Sequence, residues 1–492
     1  MIKVKLESYI SKVKKSLISG PFGSNISSKF FVSDGVPVIR GNNLTFGQRK
    51  FVDQGFVFVS EEKASELNCD AVPGDIIFTA AGTIGQVGLI TDDLKYQRYV
   101  ISNKQIRLRV DKSICDTNFL YAILNSEITR QQILNNDTGS TIPLINLSVI
   151  RNLEIPYFDL PTQQKIAAVL SALDDKIELN NKINAELEQM AKTLYDYWFV
   201  QFEFPNAEGK PYKSSGGKMV FNESLKRGIP DGWEVKELDN LINFTRGVSY
   251  TSKTMNDKEG IPMINLKSFN LNGTYRYDGI KYFTGKLNES RILDKGDLLI
   301  AITDVTREAE IIGRAIINPD FEKKSVCSCD VARVDIVGED LKKNYLRYLF
   351  NSNSYHDYIK HFASGTLVLH LDLQGVKWFT HAIPPIRVQI EFEKFINSID
   401  EKIALNQKQN QELAQLRDWL LPMLMNGQVR VAVAEEVLGM VAKPEVVYHK
   451  TIKEGKEDRF ELWLSNQKLA ARGDIDEVVL REIFSAMDDE DQ

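Results

Sequence analysis

Short apolar runs and tight turns alternate along residues 1 to about 155, as in Val36-Pro37-Val38-Ile39, Gly74-Asp75-Ile76-Ile77-Phe78 and Gln105-Ile106-Arg107-Leu108-Arg109-Val110. Runs of this length between glycine-bearing turns predict strands, interrupted by a helical stretch over about Thr117 to Asn135. The period then changes. From residue 163 to about 199 there is no glycine or proline, and a 3/4-spaced seam runs Ile166, Leu170, Leu173, Ile177, Asn180, Asn184, Leu187, Met190, Leu194, Trp198. That spacing predicts one long helix. After a polar, glycine- and proline-bearing linker, the pattern repeats: strand-like runs to about Ile383, then a second helix over about Val388 to Leu421, ended by Pro422. Its seam is Phe392, Ile396, Ile399, Ile403, Asn406, Asn410, Leu413, Leu416, Leu420.

The repetition extends beyond the period. Asn118-Phe119-Leu120 returns about 226 residues later as Asn344-Tyr345-Leu346, Asn125-Ser126 as Asn351-Ser352, and Gly139-Ser140-Thr141 as Gly365-Thr366. Asp174-Asp175-Lys176-Ile177-Glu178-Leu179-Asn180 returns as Asp400-Glu401-Lys402-Ile403-Ala404-Leu405-Asn406. A period this long is too great for a solenoid and describes a domain plus a helix, duplicated once. The expected fold is α+β: two strand-rich domains in a pseudo-two-fold arrangement, joined by two long antiparallel coiled-coil helices. Such symmetry would bring Asn180 and Asn184 against Asn406 and Asn410, where paired amides satisfy one another and fix the register. The alternative turns Ile183 inward and leaves the asparagines solvated. The boundaries are 1–155 for the first domain, 156–200 for the first helix, 201–228 for the linker, 229–385 for the second domain, 386–425 for the second helix and 426–492 for a C-terminal extension.

Charge sharpens this picture. The net charge is −6 over 492 residues, and residues 426–492 alone hold 9 Lys+Arg against 15 Asp+Glu, so the acidity belongs to the extension and the body is neutral. A neutral body holds phosphates poorly, so a DNA-reading role would need a partner to supply much of the backbone affinity. No stretch is apolar and long enough to span a membrane, and the first residues carry charges where a signal peptide needs an apolar core; the expectation is a cytoplasmic protein without membrane contact. Cys327-Ser328-Cys329 is too tight for the usual zinc spacing, and the five histidines form no ligand cluster, so no metal site is expected. There is no phosphate-binding G-x-x-x-x-G-K-[ST] motif and no Asp/Asn-Pro-Pro-aromatic motif of amino-methyltransferases; Gly82-x-x-Gly85-x-x-Gly88 lies between strand-like runs and reads as a hairpin. No catalytic residues are expected.

In order, Gly35-Val36-Pro37-Val38-Ile39-Arg40-Gly41-Asn42-Asn43, Gly74-Asp75-Ile76-Ile77, Ile155-Pro156 leading to Gln163-Gln164, Trp198-Phe199, Ile229-Pro230-Asp231-Gly232-Trp233 and Leu420-Leu421-Pro422-Met423-Leu424-Met425-Asn426-Gly427 closely resemble the DNA-specificity subunits of type I restriction-modification systems. The resemblance covers nearly all of residues 1–427. It implies two target-recognition domains, each reading one half of a split, asymmetric site on double-stranded DNA. It further implies helices that dock two modification subunits, which carry S-adenosylmethionine and methylate adenine, and motor-nuclease subunits for restriction. No cofactor is implied for this chain. The first domain lacks the Pro-Asp-Gly-Trp opening of the second, so its first strand is expected to be shortened or differently arranged. Residues with base-reading chemistry in the reader turns are Arg40, Asn42, Asn43, Lys104, Ser140 and Thr141, with Asn265, Lys267, Ser268, Ser364 and Thr366 in the second domain. For each, base contact stands beside a turn-polar role and beside phosphate contact, which carries no sequence information. A stand-alone methyltransferase or nuclease with a degenerate motif, and a scaffold that uses the helices for assembly alone, are the competing functional classes.

Overall fold

The computed structural model describes residues 2–425 apart from 47–48, 140, 257–258, 278–279 and 322. The extension from 426 onward therefore lies outside the described residues. The described chain separates into two units, one holding residues up to 182 with 405–425, the other residues 183–404. Each long helix thus contributes one half to each unit.

In the first unit a four-stranded antiparallel sheet runs in the order Leu17–Ser19, Gln105–Arg109, Asp75–Thr79, Val87–Leu89. Beside it lies a five-stranded sheet ordered Phe31–Val32, Val57–Val59, Val36–Ile39, Tyr99–Ile101, Asp70–Ala71. Val36–Ile39 and Tyr99–Ile101 pair in parallel, with Ile39 opposite Ile101, and both are buried along their whole length. A strand buried on both faces reads as a continuous apolar run, and these two do. The Gly82–Gly88 stretch forms the expected hairpin: Phe78 pairs with Val87, and Gly82 and Gly85 take φ of 90° and 89°, which favour glycine.

The second unit repeats these two sheets in the same order and adds a three-stranded one, Thr303–Asp304, Leu369–Leu371, Ala363–Ser364. Its four-stranded sheet is Ile242–Arg246, Val331–Ile336, Leu298–Ala301, Ala315–Ile317, and its five-stranded sheet is Met255–Asn256, Lys281–Phe283, Ile261–Ile264, Ser325–Cys327, Ile292–Leu293. Again one pair is parallel, with Ile264 opposite Cys327. The helical stretch is two helices in both units, Thr117–Leu124 with Glu127–Asn135, and Lys343–Asn351 with Asn353–Ile359. The break falls where Ser126 and Ser352 cap the second helix, their hydroxyls accepting from the Thr129 and Tyr355 N–H groups. The opening strand of the first unit is present despite its different sequence, as Lys3–Lys5 pairs with Glu154–Pro156 much as Glu234–Glu237 pairs with Thr380–Ile383.

The first long helix spans Leu160–Tyr195, with Pro161 tolerated in its first turn, and continues as a π-helical turn over Asp196–Val200. The second spans Ile386–Met425. Pro422 does not end it as expected. Proline removes one N–H from the ladder, but Leu420, Leu421 and Leu424 are buried in the core of the first unit and hold the last turn helical. In that unit Ile166, Leu170, Leu173 and Ile177 share a core with Leu413, Leu420 and Phe119. In the second unit Leu187, Met190, Leu194 and Trp198 share one with Phe392, Ile396, Ile399 and Tyr345. Trp198 is fully buried, its ring centroid 5.9 Å from that of Phe392 and 5.6 Å from that of Phe395.

The 201–228 stretch is not the loose, exposed crossover its composition suggests. Phe202 and Phe204 are buried against Trp233, at centroid distances of 5.3 and 5.4 Å, and Met219–Asn222 pairs with Arg227–Pro230. Two aromatic anchors outweigh the polar residues between them, because each buries far more apolar area than a polar loop residue exposes.

Candidate nucleic-acid interface

In the first unit the strand ends and turns enclose an open cleft of about 670 Å³. Arg40, Asn42, Thr83, Gln86, Asn103 and Lys104 supply its polar walls and Ile26, Phe31 and Val38 its apolar floor; among the described residues no carboxylate lines it. Lys104 and Asn42 are exposed. Arg40 Nη2 donates to the Gly55 carbonyl (3.2 Å), while its buried Nε has no hydrogen-bond partner. Gln86 is fixed, accepting from the Thr79 hydroxyl (3.0 Å) and donating to the Leu44 carbonyl (3.0 Å). The turn bearing Asn103 and Lys104 is held for a local reason. Gly20 lies so close to it that a Cβ there would collide with the Ser102 carbonyl, so the end of the Leu17–Ser19 strand clamps the turn. A cleft that offers guanidinium, ammonium and amide donors without an opposing acid suits acceptor-rich edges such as guanine O6 and N7, or phosphate oxygens.

Three of the sequence candidates, Arg40, Asn42 and Lys104, therefore meet in one place. Asn43 does not join them and must be withdrawn as a base reader. It is fully buried, its Oδ1 accepts from the Arg40 N–H (2.9 Å), and its Nδ2 donates to the Val52 and Gln54 carbonyls (2.9 and 3.0 Å). Ser268 is withdrawn on the same ground. It too is fully buried, its hydroxyl accepting from the Asn265 N–H (3.2 Å) at the equivalent turn. Asn265 Oδ1 in turn accepts from the Lys267 N–H (2.9 Å), and the Lys267 side chain is exposed. Ser140 lies outside the described residues. Thr141 is exposed on a loop beside the cleft rather than in its wall; the Pro143 carbonyl of that loop accepts from the Gly82 N–H (2.9 Å). Asp137 shapes the loop by accepting from the Leu144 and Gly139 N–H groups (both 2.8 Å), two bonds that hold its carboxyl below the usual range. In the second unit Ser364 is exposed at the end of the short strand Ala363–Ser364, which pairs with Leu369–Leu371, and Thr366 is exposed on the turn that follows.

Not every strand-borne cation is available. Arg107 is buried, donating to the Asp70 and Lys15 carbonyls, and Arg109 Nε donates to Asp75 Oδ1 (2.9 Å). Burial pushes the Asp75 carboxyl up and Arg109 opposes it, an internal ion pair that fixes the sheet rather than meeting a ligand. Sequence reasoning missed Thr83, Gln86 and Asn103 in the first cleft. The same 226-residue offset that aligned the helices takes Lys104 to Asp330 and Ser102 to Ser328 in the second unit.

On the helices, Asn180 is buried and its Nδ2 donates to Asn410 Oδ1 and Gln409 Oε1, both at 2.8 Å, while Asn410 Nδ2 donates to Asn181 Oδ1 (2.9 Å). Asn184 and Asn406 are buried as well, Asn410 is half-buried, and Ile183 is half-buried against the core of the second unit. Toward the start of the first helix, Arg417 Nη1 meets Asp174 Oδ1 at 2.8 Å, so the two helices run antiparallel within the first unit.

Two copies of one strand-rich frame, each presenting polar turns and each built around segments of the same two helices, define a duplicated recognition protein. The family described as type I restriction modification DNA specificity domain matches residues 18–189 and again residues 230–415, and the chain belongs to this family. It is 27% identical over 421 residues to the type I restriction enzyme MjaIX specificity subunit of Methanocaldococcus jannaschii, covering 83% of this chain and 90% of that one. It is 26% identical over 408 residues to the HindI specificity subunit of Haemophilus influenzae, covering 72% and 86%. Among solved structures, the S subunit of a type I system from M. genitalium aligns with a TM-score of 0.47 at 17% identity, over 86% of this chain and 95% of that one. The chain is thus a DNA-specificity subunit of a type I restriction-modification complex, non-catalytic by family. Among the described residues no helix is long and apolar enough to cross a membrane.

Proposed function

We propose that this subunit reads a bipartite, asymmetric site on double-stranded DNA, one half-site per recognition domain, with the unread spacer set by the length of the helical pair. It directs two modification subunits, which carry S-adenosylmethionine, to methylate adenine within that site, and motor-nuclease subunits to restrict DNA lacking the mark. The observation that carries this reading is the contrast between frame and turns. The four- and five-stranded sheets of the two units agree in order and in their parallel pair, while the turn side chains differ, as expected for two unlike half-sites read from one scaffold. Arg40, Asn42 and Lys104 are the base-edge candidates of the first domain, with Thr141 beside them; Asn265, Lys267, Ser364 and Thr366 are those of the second. The neutral body fits a division of labour in which the modification subunits supply most phosphate contacts.

The experiment is genome-wide modified-base sequencing of the host with and without this chain. Loss of one bipartite adenine-methylation motif is the expected result and yields both half-sites and the spacer. A purified complex that methylates without sequence preference would refute the reading and leave a scaffold role for the helices.

A further inference from the structure

The two reader turns coincide bond for bond. After the parallel pair Ile39 and Ile101, the Ser102 N–H donates to the Ile39 carbonyl (3.0 Å); after Ile264 and Cys327, the Ser328 N–H donates to the Ile264 carbonyl (2.8 Å). The Ala80 N–H reaches the Lys104 carbonyl (2.7 Å) as the Ile302 N–H reaches that of Asp330 (2.9 Å). The turns close alike, Gln105 N–H to the Ser102 carbonyl (3.1 Å) and Val331 N–H to that of Ser328 (3.0 Å), and Gly247 lies against Ser328 as Gly20 lies against Ser102. Lys104 and Asp330 therefore occupy the same position on the same frame, and their chemistry is opposite.

Asp330 is held in place rather than consumed. One carboxylate oxygen accepts from the Thr303 hydroxyl (3.1 Å) and the other from the Ser328 hydroxyl (3.3 Å). The Tyr250 hydroxyl also lies beside it. A carboxylate offers about four acceptor sites, so three neighbouring hydroxyls leave it capacity, and the residue is only partly buried. A carboxylate here repels phosphate, which removes the sequence-blind alternative that applies to Lys104. On a base edge the group that suits a carboxylate acceptor is an exocyclic N–H₂.

We propose that this shared position sets the chemistry of each half-site: Lys104 donates to an acceptor edge, guanine O6 or N7, in the first, and Asp330 accepts from the exocyclic amine of cytosine or adenine in the second. The inference rests on the bipartite reading above and assigns a specificity-determining residue to each domain.

The test places Asp330→Asn and, separately, Lys104→Gln in the full complex and sequences modified bases genome-wide. Asp330→Asn keeps the shape and one of the two oxygens that the neighbouring hydroxyls brace. It should cut discrimination at one base pair of the second half-site by roughly ten- to a hundredfold, leaving the first half-site and the spacer unchanged. Lys104→Gln should do the same in the first half-site alone. The identity of the affected base, cytosine or adenine, distinguishes the two amine sources. An unchanged motif in both variants, or equal relaxation of both half-sites by either, overturns the proposal. Loss of all methylation by Asp330→Asn, matched by Thr303→Val, would show that Asp330 only braces the turn and would overturn it equally. If removing the whole chain leaves methylation intact, the bipartite reading itself fails, an outcome distinct from these.

Discussion

Replacing Asn180 by leucine tests what the buried amides contribute. The substitution strips the donor from Gln409 Oε1 and Asn410 Oδ1, each bonded at 2.8 Å, at a position only 1% exposed. A buried acceptor left without a donor costs about 1–3 kcal/mol, and a fully buried leucine returns about 1.5–3 kcal/mol. With two acceptors stranded, the single variant should be destabilised by about 1 kcal/mol. Adding Asn410→Leu removes one stranded acceptor along with its half-buried amide, and the Asn181 oxygen it formerly served is likewise partly solvated. The double variant should thus exceed Asn180→Leu in stability by about 2 kcal/mol, with a coupling energy between the two sites of about 1–2 kcal/mol. Native-state hydrogen exchange on peptides covering residues 176–186 and 404–414 reads this locally, which matters because a two-unit chain does not unfold as one step. The functional counterpart is methylation at more than one spacer length by the double variant, since a leucine seam tolerates slippage that a paired amide does not. Coupling below about 0.5 kcal/mol, within ordinary additivity, would refute the pairing argument.

Two other outcomes are expected. Burial, reinforced by Arg227, lowers His381 from 6.5 to about 4. The unfolded chain then binds the extra proton first as the pH falls, so stability is full above about pH 6.5 and declines toward pH 4. Because the side chain keeps some solvent contact, we expect about 1–2 kcal/mol rather than the full shift, and His381→Phe should flatten that part of a urea-stability profile against pH. Inserting four residues into each long helix adds ~6 Å of rise and should lengthen the unread spacer by about two base pairs without altering either half-site. Changed half-sites in the sequenced methylome would contradict a spacer set by the helical pair.

The helices were the most legible part of the chain because a 3/4 seam of thirty-odd residues leaves few alternatives. Every position of the first seam, from Ile166 to Trp198, is buried. Strand-like runs were legible as such, but the order of the sheets was not, because the parallel pairing of Val36–Ile39 with Tyr99–Ile101 joins segments some sixty residues apart. The site was half legible. Arg40, Asn42 and Lys104 do gather in one cleft, but Asn43 and Ser268 carry the same residue chemistry and are spent inside their own turns. Side-chain type alone cannot separate an amide that reads a base from one that caps a 3₁₀ turn; the bonds decide it. Likewise the polar composition of residues 201–228 hid the two phenylalanines that anchor it.

Duplication preserved one acid on each helix and let its partner change. Asp174 and Asp400 stand at equivalent places in the repeat, yet Asp174 meets Arg417 (2.8 Å), whereas Asp400 meets Arg347 (2.9 Å), which is carried on the Lys343–Asn351 helix of its own domain. Position 347 corresponds to Tyr121 in the first domain, and Tyr121 is buried with Asp174 acting on its hydroxyl. Both carboxylates are partly buried, each matched by one well-placed guanidinium, and a second guanidinium close by adds like-charge repulsion to its own desolvation at the buried position 121. Tyr121→Arg should therefore destabilise the first unit by about 3 kcal/mol while Arg417 is present. Adding Arg417→Leu should restore most of that loss, because the introduced guanidinium can then take the role that Arg347 has in the second unit. Hydrogen exchange in the Thr117–Leu124 helix measures both steps. If Arg417→Leu gives no rescue, the two acids are not interchangeable solutions to one desolvation problem, and the cation on each was fixed by packing rather than by charge.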